Sequence, residues 1–204
     1  MAHKDHAPRI LGGRLKGRAL SVAPGRLTRP LKALARRSLF DILADRLPGA
    51  SVLDLFAGAG TVGLEAISRG AERVVLVESA AAARRALAES VAALGVADRV
   101  TIDGREAIHF VADAPRAEFD VVFVGPPYRL YLGEERATLA RVLAGAARCI
   151  APHGTLVLES TTITSVPTLP DLTEVDRRNY GETVLHFFTR CDDSEPQAPD
   201  ERGR

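Results

Sequence analysis

Short apolar runs alternate along the chain with stretches of helical spacing. Residues 51–56, 73–78, 99–103, 119–124 and 154–159 are dominated by Val, Leu, Ile and Phe and bounded by turn residues, the pattern of strands buried on both faces. Between them, residues 61–68, 80–94, 106–113 and 133–150 carry helical periodicity, and Gly95 stops the second of these helices. Strand and helix in alternation predict a doubly wound α/β fold around a mainly parallel sheet. Residues 173–178 and 182–189, joined by Asn179-Tyr180-Gly181, leave no room for a crossover helix. They predict an antiparallel hairpin at one end, which makes the sheet seven-stranded.

Ahead of the first strand, Leu31, Leu34, Ala35, Leu39, Ile42 and Leu43 recur at helical spacing over residues 31–47, while Lys32, Arg36 and Arg37 lie off that face. The expectation is a helix docked on the body with its arginines outward. Residues 9–29 alternate apolar and basic positions between glycines, as a short β-ribbon or irregular arm does. Three regions follow: a basic arm and helix over 1–50, the α/β domain over 51–190, and a disordered acidic tail over 191–204, which has no apolar anchor.

Composition narrows the class. Of 204 residues, 46% are hydrophobic and 26% charged, enough for one packed core without staples. No run approaches the roughly 18 apolar residues of a membrane span, and Met1 to His6 lack the apolar stretch of a secretory signal. A cytoplasmic protein with no membrane partner is expected, as a monomer. Cys149 and Cys191 stand 42 positions apart, outside any zinc or disulfide framework, and His109, His153 and His186 lack metal spacing, so no metal is expected. Residues 1–50 hold eleven Lys and Arg against three acids, a local +8, which leaves −7 on the rest of a chain of net charge +1. A basic arm on an acidic body is the footprint of a polyanion binder, here through Arg14, Lys16, Arg18, Arg26, Arg29, Lys32, Arg36 and Arg37.

In such sheets the ligand lies beyond the carboxyl ends of the strands. Gly58-Ala-Gly60-Thr-Val-Gly63 matches the dinucleotide fingerprint G-x-G-x-x-G, and Glu78 follows 20 residues after Gly58. Asp54, at the strand end beside that turn, would repel a pyrophosphate but attract a cationic ligand. S-adenosylmethionine carries an ammonium and a sulfonium. It would lie against Asp54 and the turn glycines Gly58 and Gly60, with Glu78 at the ribose hydroxyls; Glu106 would meet the adenine amino group or serve as a helix-start acid.

Gly125-Pro126-Pro127-Tyr128 follows the fourth strand. Two prolines fix the backbone and remove two N–H donors, leaving carbonyl acceptors beside an aromatic ring, a pocket for a planar amine. The turn after strand four, the segment Asp54 to Ala71, Val77-Glu78, the arm Arg9-Ile-Leu-Gly-Gly-Arg-Leu-Lys-Gly-Arg18, Thr28-Arg-Pro30 and Arg36-Arg-Ser-Leu-Phe40 together resemble the RsmD family, over about residues 9–189. That family comprises bacterial 16S ribosomal RNA guanine-N2 methyltransferases with a Rossmann-like class I fold. The resemblance implies S-adenosylmethionine, yielding S-adenosylhomocysteine, at Asp54, Phe56, Ala57, Gly58, Gly60, Glu78 and Glu106, with Ser79 and Ala107 beside the two acids. It also implies ribosomal RNA or the small ribosomal subunit as partner, with a flipped guanine at Pro126, Pro127 and Tyr128.

Two departures stand out. The family's turn begins with Asp where this chain has Gly125, and the loop after Pro30 reads Leu31-Lys-Ala-Leu-Ala35 in place of a Thr- and Asp-bearing one. Loss of a charged acceptor costs on the order of 1.5 to 3 kcal/mol, or roughly ten- to a hundredfold in rate, unless the carbonyls of Gly125 and Pro126 or a nearby acid such as Glu159 substitute. Gly125 therefore keeps a rival open, a non-catalytic RNA-binding assembly protein. A DNA adenine or protein glutamine methyltransferase is a further alternative, because both use such a turn.

Overall fold

The computed structural model describes residues 7–23 and 31–191. Arg26 and Arg29 fall outside these residues, as does the expected tail beyond Cys191. The elements run α1 (Ala33–Ile42), β1 (Ser51–Asp54), α2 (Gly63–Ser68), β2 (Arg73–Val77), α3 (Ala81–Leu94), β3 (Val100–Asp103), α4 (Ala107–Asp113), β4 (Phe119–Val124), α5 (Glu135–Cys149), β5 (Ile150–Thr161), β6 (Leu172–Tyr180) and β7 (Thr183–Arg190). Short 3-10 turns occupy Ala44–Arg46 and Tyr128–Tyr131.

Among the described residues, seven strands form one sheet in the order β3-β2-β1-β4-β5-β7-β6. β1 to β5 pair in parallel, and β7 runs antiparallel to both β5 and β6. Successive strand residues face opposite sides of the sheet. Val52, Val121, Phe123 and Val157 thus pack beneath α1, α2 and α3, while Leu53, Val122, Leu156 and Leu158 pack beneath α4 and α5. Leu53, Leu76, Val122 and Leu156 are withdrawn from water completely, each contributing about 1.5–3 kcal/mol. The edge strand β6 is instead charged, with Arg177 paired to Glu174 and Arg178 to Asp176, which discourages further strand addition. Buried His186 hydrogen-bonds Ser160 Oγ at 2.7 Å and Glu174 Oε1 at 3.0 Å, a polar link between β5, β7 and β6.

The arm is part of the same body. Arg9 bridges Ala19 in antiparallel fashion, and Ile10, Leu15 and Leu20 enter the core beside α2 and α3. Its backbone is held by side chains of those helices: Leu11 N–H donates to Glu65 Oε2 at 2.7 Å, Leu15 N–H to Ser68 Oγ at 2.9 Å and Ser21 N–H to Ser90 Oγ at 2.8 Å. Gly13 has φ +72°, and a Cβ there would meet the Ser68 carbonyl oxygen at 1.9 Å, so only glycine fits this crossing.

The α1 face differs from expectation. Leu34 is 69% and Ile42 39% exposed, whereas Ala35, Arg36, Leu39, Phe40 and Leu43 are buried. The helix is rotated because Phe40, the bulkiest apolar side chain of the segment, goes inward, where Arg69 lies over its ring at 5.1 Å. The same rotation carries Arg36 inward, correcting its outward assignment.

Candidate active site

β1 lies between β2 and β4, and the chain winds away from it in both directions, so the loops leaving β1 and β4 part and leave a crevice at the carboxyl ends. A cleft of about 1040 Å³ opens there. The loop after β1 contributes Asp54, Phe56, Ala57 and Gly58. The loop after β2 contributes Glu78 and Ser79, that after β3 Glu106 and Ala107, and that after β4 Gly125, Pro126, Pro127 and Tyr128. Gly60 is the strand-end candidate outside this lining. With φ +73° and a would-be Cβ 2.4 Å from Leu87 Cδ1, it is glycine where the turn packs against α3.

Asp54 and Glu78 are fixed by backbone donors. Gly63 N–H donates to Asp54 Oδ2 at 3.2 Å, while Oδ1 is buried without a hydrogen-bond partner among the described residues. Burial pushes the Asp54 pKa up to about 7, against the N–H groups of Gly63 and Phe56, and the neighbouring Glu78 pushes it the same way. Glu78 receives Gly58 N–H on Oε2 at 3.0 Å and Ala80 N–H on Oε1 at 2.8 Å, which ties the glycine turn to the start of α3. Glu106 is the N-cap residue of α4, and its side chain makes no capping bond. After β3, Asp103 grips Arg105 through two nitrogens, and this guanidinium holds the Asp103 carboxyl below its ordinary range.

At the other end of the cleft, Pro127 is extended and Tyr128, 46% exposed, opens the 3-10 turn. Tyr131 closes that turn, buried, with its O–H donating to the Glu159 backbone carbonyl at 2.5 Å. The Glu159 side chain also lines the cleft. Burial first, and Asp54 second, push its pKa up to about 7.

The basic candidates lie apart from this cleft. Arg14, Lys16, Arg18, Lys32 and Arg37 are exposed and none of them lines it. Arg36 is 3% exposed and donates to the Arg9 carbonyl at 2.6 Å, a cation that holds the arm and presents nothing to a polyanion. Two cations do line the cleft, Arg105 within the strand-end segment 103–106 and Arg129 just after Tyr128, and neither was assigned a role from the sequence.

Residues 8–189 match the family model described as Conserved hypothetical protein 95. Ribosomal RNA small subunit methyltransferase D of Escherichia coli (strain K12) is 31% identical over 183 residues, spanning 89% of this chain and 89% of that protein. The chain belongs to this family, the RsmD family. Among solved structures, yhhF from Escherichia coli matches with a TM-score of 0.78 at 28% identity, covering 90% of this chain and 98% of that one. A hypothetical protein of Thermus thermophilus matches with a TM-score of 0.70 at 32% identity, covering 88% and 98%. The fold is that of class I methyltransferases, and this RsmD-family chain is a methyl-transferring enzyme.

Proposed function

We propose that this enzyme transfers a methyl group from S-adenosylmethionine to the exocyclic N2 amine of a guanine in 16S ribosomal RNA of the small subunit. The observation that carries the reading is one cleft joining a buried, unsatisfied carboxylate oxygen, Asp54 Oδ1, to a rigid proline turn with an exposed aromatic ring, Tyr128. The name of the Escherichia coli relative supports ribosomal RNA as the acceptor.

The residues fit the cofactor. Asp54 Oδ1 is an acceptor that needs a cationic donor, because a buried carboxylate without one is costly. A carboxylate oxygen accepts more than one hydrogen bond, so Glu78 meets ribose hydroxyls while its backbone donors hold it still. Phe56, Ala57, Gly58, Ser79, Glu106 and Ala107 close around the same volume. Among the described residues no group of His, Cys, Asp and Glu could hold a metal ion. When bound, S-adenosylmethionine supplies a methyl group on a cationic sulfur, which keeps the bonding pair as a neutral thioether while the amine sheds its proton to water.

The chain's own residues do the positioning. Tyr128 stacks on the guanine drawn out of its helix, and the turn Gly125-Pro126-Pro127 offers acceptors to the amine N–H groups. Exposed Arg14, Lys16, Arg18, Lys32 and Arg37, with Arg26 and Arg29, neutralise phosphates around the target. The test is a calorimetric titration of S-adenosylmethionine into wild type and Glu78→Ala, paired with transfer of labelled methyl to small subunits that lack the modification. Tight binding weakened by Glu78→Ala, with label in the RNA, is expected. No binding, or label in ribosomal protein, would overturn the reading.

A further inference from the structure

Gly125 follows the last residue of β4 and Glu159 lies within β5, paired to Leu185 of β7; each stands one step beyond the last registered β4–β5 pair, Val124 and Leu158. A Cβ built at position 125 would stand 3.2 Å from Glu159 Oε2. The Glu159 carboxylate therefore borders the space into which a side chain at 125 would project. Within the described residues no N–H or O–H group donates to this carboxylate, and its charged neighbour, Asp54, is of like sign. Its backbone carbonyl, in contrast, is held by Tyr131, the residue that ends the turn Tyr128 begins, so the strand end and the aromatic ring are tied together.

An acceptor lacking a donor thus faces the cleft beside a turn lacking a side-chain acceptor. We propose that Glu159 is the catalytic acceptor for the target amine, taking one N–H of the exocyclic amino group and delivering from β5 the carboxylate that Gly125 cannot supply from β4. The inference rests on the function proposed above. A charged acceptor holds the amino group in one orientation and raises electron density on its nitrogen, where a neutral carbonyl does so more weakly. The departure at position 125 is then a relocation of the acid to the adjacent strand, and the site keeps one carboxylate within reach of the amine.

The experiment measures N2-methylguanosine formed on small subunits lacking the modification, using wild type, Glu159→Gln, Glu159→Ala and the double variant Gly125→Asp/Glu159→Ala. Affinity for S-adenosylhomocysteine and the melting temperature are recorded for each. The expected result is a kcat loss of roughly ten- to a hundredfold in both single variants, with KM for the subunit and affinity for S-adenosylhomocysteine held within about twofold. In the double variant, truncating Glu159 removes the contact at 3.2 Å and the Phe123 ring, 2.9 Å from the new Cβ, must shift; kcat is regained at least about fivefold over Glu159→Ala. Undiminished kcat in Glu159→Gln would overturn the proposal. So would a loss of kcat matched by a loss of S-adenosylhomocysteine affinity or of melting temperature, which would make Glu159 part of the pocket's architecture. A wild type that forms no N2-methylguanosine overturns the functional reading itself, and is seen before any variant is compared.

Discussion

Asp54→Asn flattens the pH dependence of folding stability. Asp54 is 1% exposed, and burial raises its pKa from 3.8 to about 7 despite the N–H groups that favour its charged form. In the unfolded chain the carboxyl ionises at its ordinary value, so between about pH 4 and pH 7 the unfolded state has released a proton that the folded state keeps. A folded pKa above the unfolded one gives a contribution that is complete below about pH 4 and lost as the pH rises through about 7. At about 1.4 kcal/mol per pH unit, this amounts to on the order of 4 kcal/mol, of which about 2.5 kcal/mol is lost between pH 5 and pH 8. Burial and Asp54 push Glu159 up to about 7 as well, so its contribution runs in the same direction and eases when Asp54 is neutralised. Urea denaturation of wild type and Asp54→Asn across this window, with and without S-adenosylhomocysteine, isolates the effect. Wild type loses about 2.5 kcal/mol relative to the variant from pH 5 to pH 8, and the ligand, whose ammonium favours the ionised carboxyl, stabilises wild type more at pH 8. Parallel stability curves for the two proteins would refute the assignment of Asp54 as a strained, buried acid awaiting a cation.

Other perturbations separate packing from recognition. Gly13→Ala, which forces a methyl group into the Ser68 carbonyl at a positive φ, costs more than about 2 kcal/mol by chemical denaturation; a change below about 0.5 kcal/mol would mean the arm is not held as described. Arg37→Ala lowers the slope of log affinity for the subunit against log salt by about 1, whereas Arg36→Ala leaves that slope unchanged and lowers the melting temperature, because Arg36 is buried on the Arg9 carbonyl. Equal salt slopes in wild type and Arg37→Ala would remove the phosphate contact. Tyr128→Ala keeps the wild-type melting temperature and loses about 1–3 kcal/mol of transition-state binding, read as kcat/KM, and unchanged kcat/KM would end the stacking role.

The sheet was legible because its strands are buried on both faces, which leaves runs such as Phe119 to Val124 almost without polar interruption. The strand-end residues were legible for a related reason: in a parallel sheet every loop after a strand opens on the same side, so Asp54, Glu78 and the turn after β4 converge however long the helices between them are. What the sequence hid depends on competition between side chains. Leu34 and Phe40 both fit an apolar face of α1, and only the docking of that helix on the body shows that Phe40 goes inward, taking Arg36 with it. The arm's glycines read as breaks in a short ribbon or irregular arm, yet Gly13 is a close crossing over Ser68, visible only once the arm is laid on α2. Arg105 and Arg129 sit on the same strand-end loops, beside Glu106 and Tyr128, but basic side chains were read only in the arm and first helix.

The most direct test of the account is the identity of the methylated nucleoside. Purified protein is incubated with tritiated S-adenosylmethionine and small ribosomal subunits from cells lacking the native modification, and the 16S RNA is then digested and the labelled nucleoside identified. The account predicts N2-methylguanosine. Label on N6-methyladenosine, on protein glutamine, or on nothing at all while S-adenosylmethionine binds would contradict it.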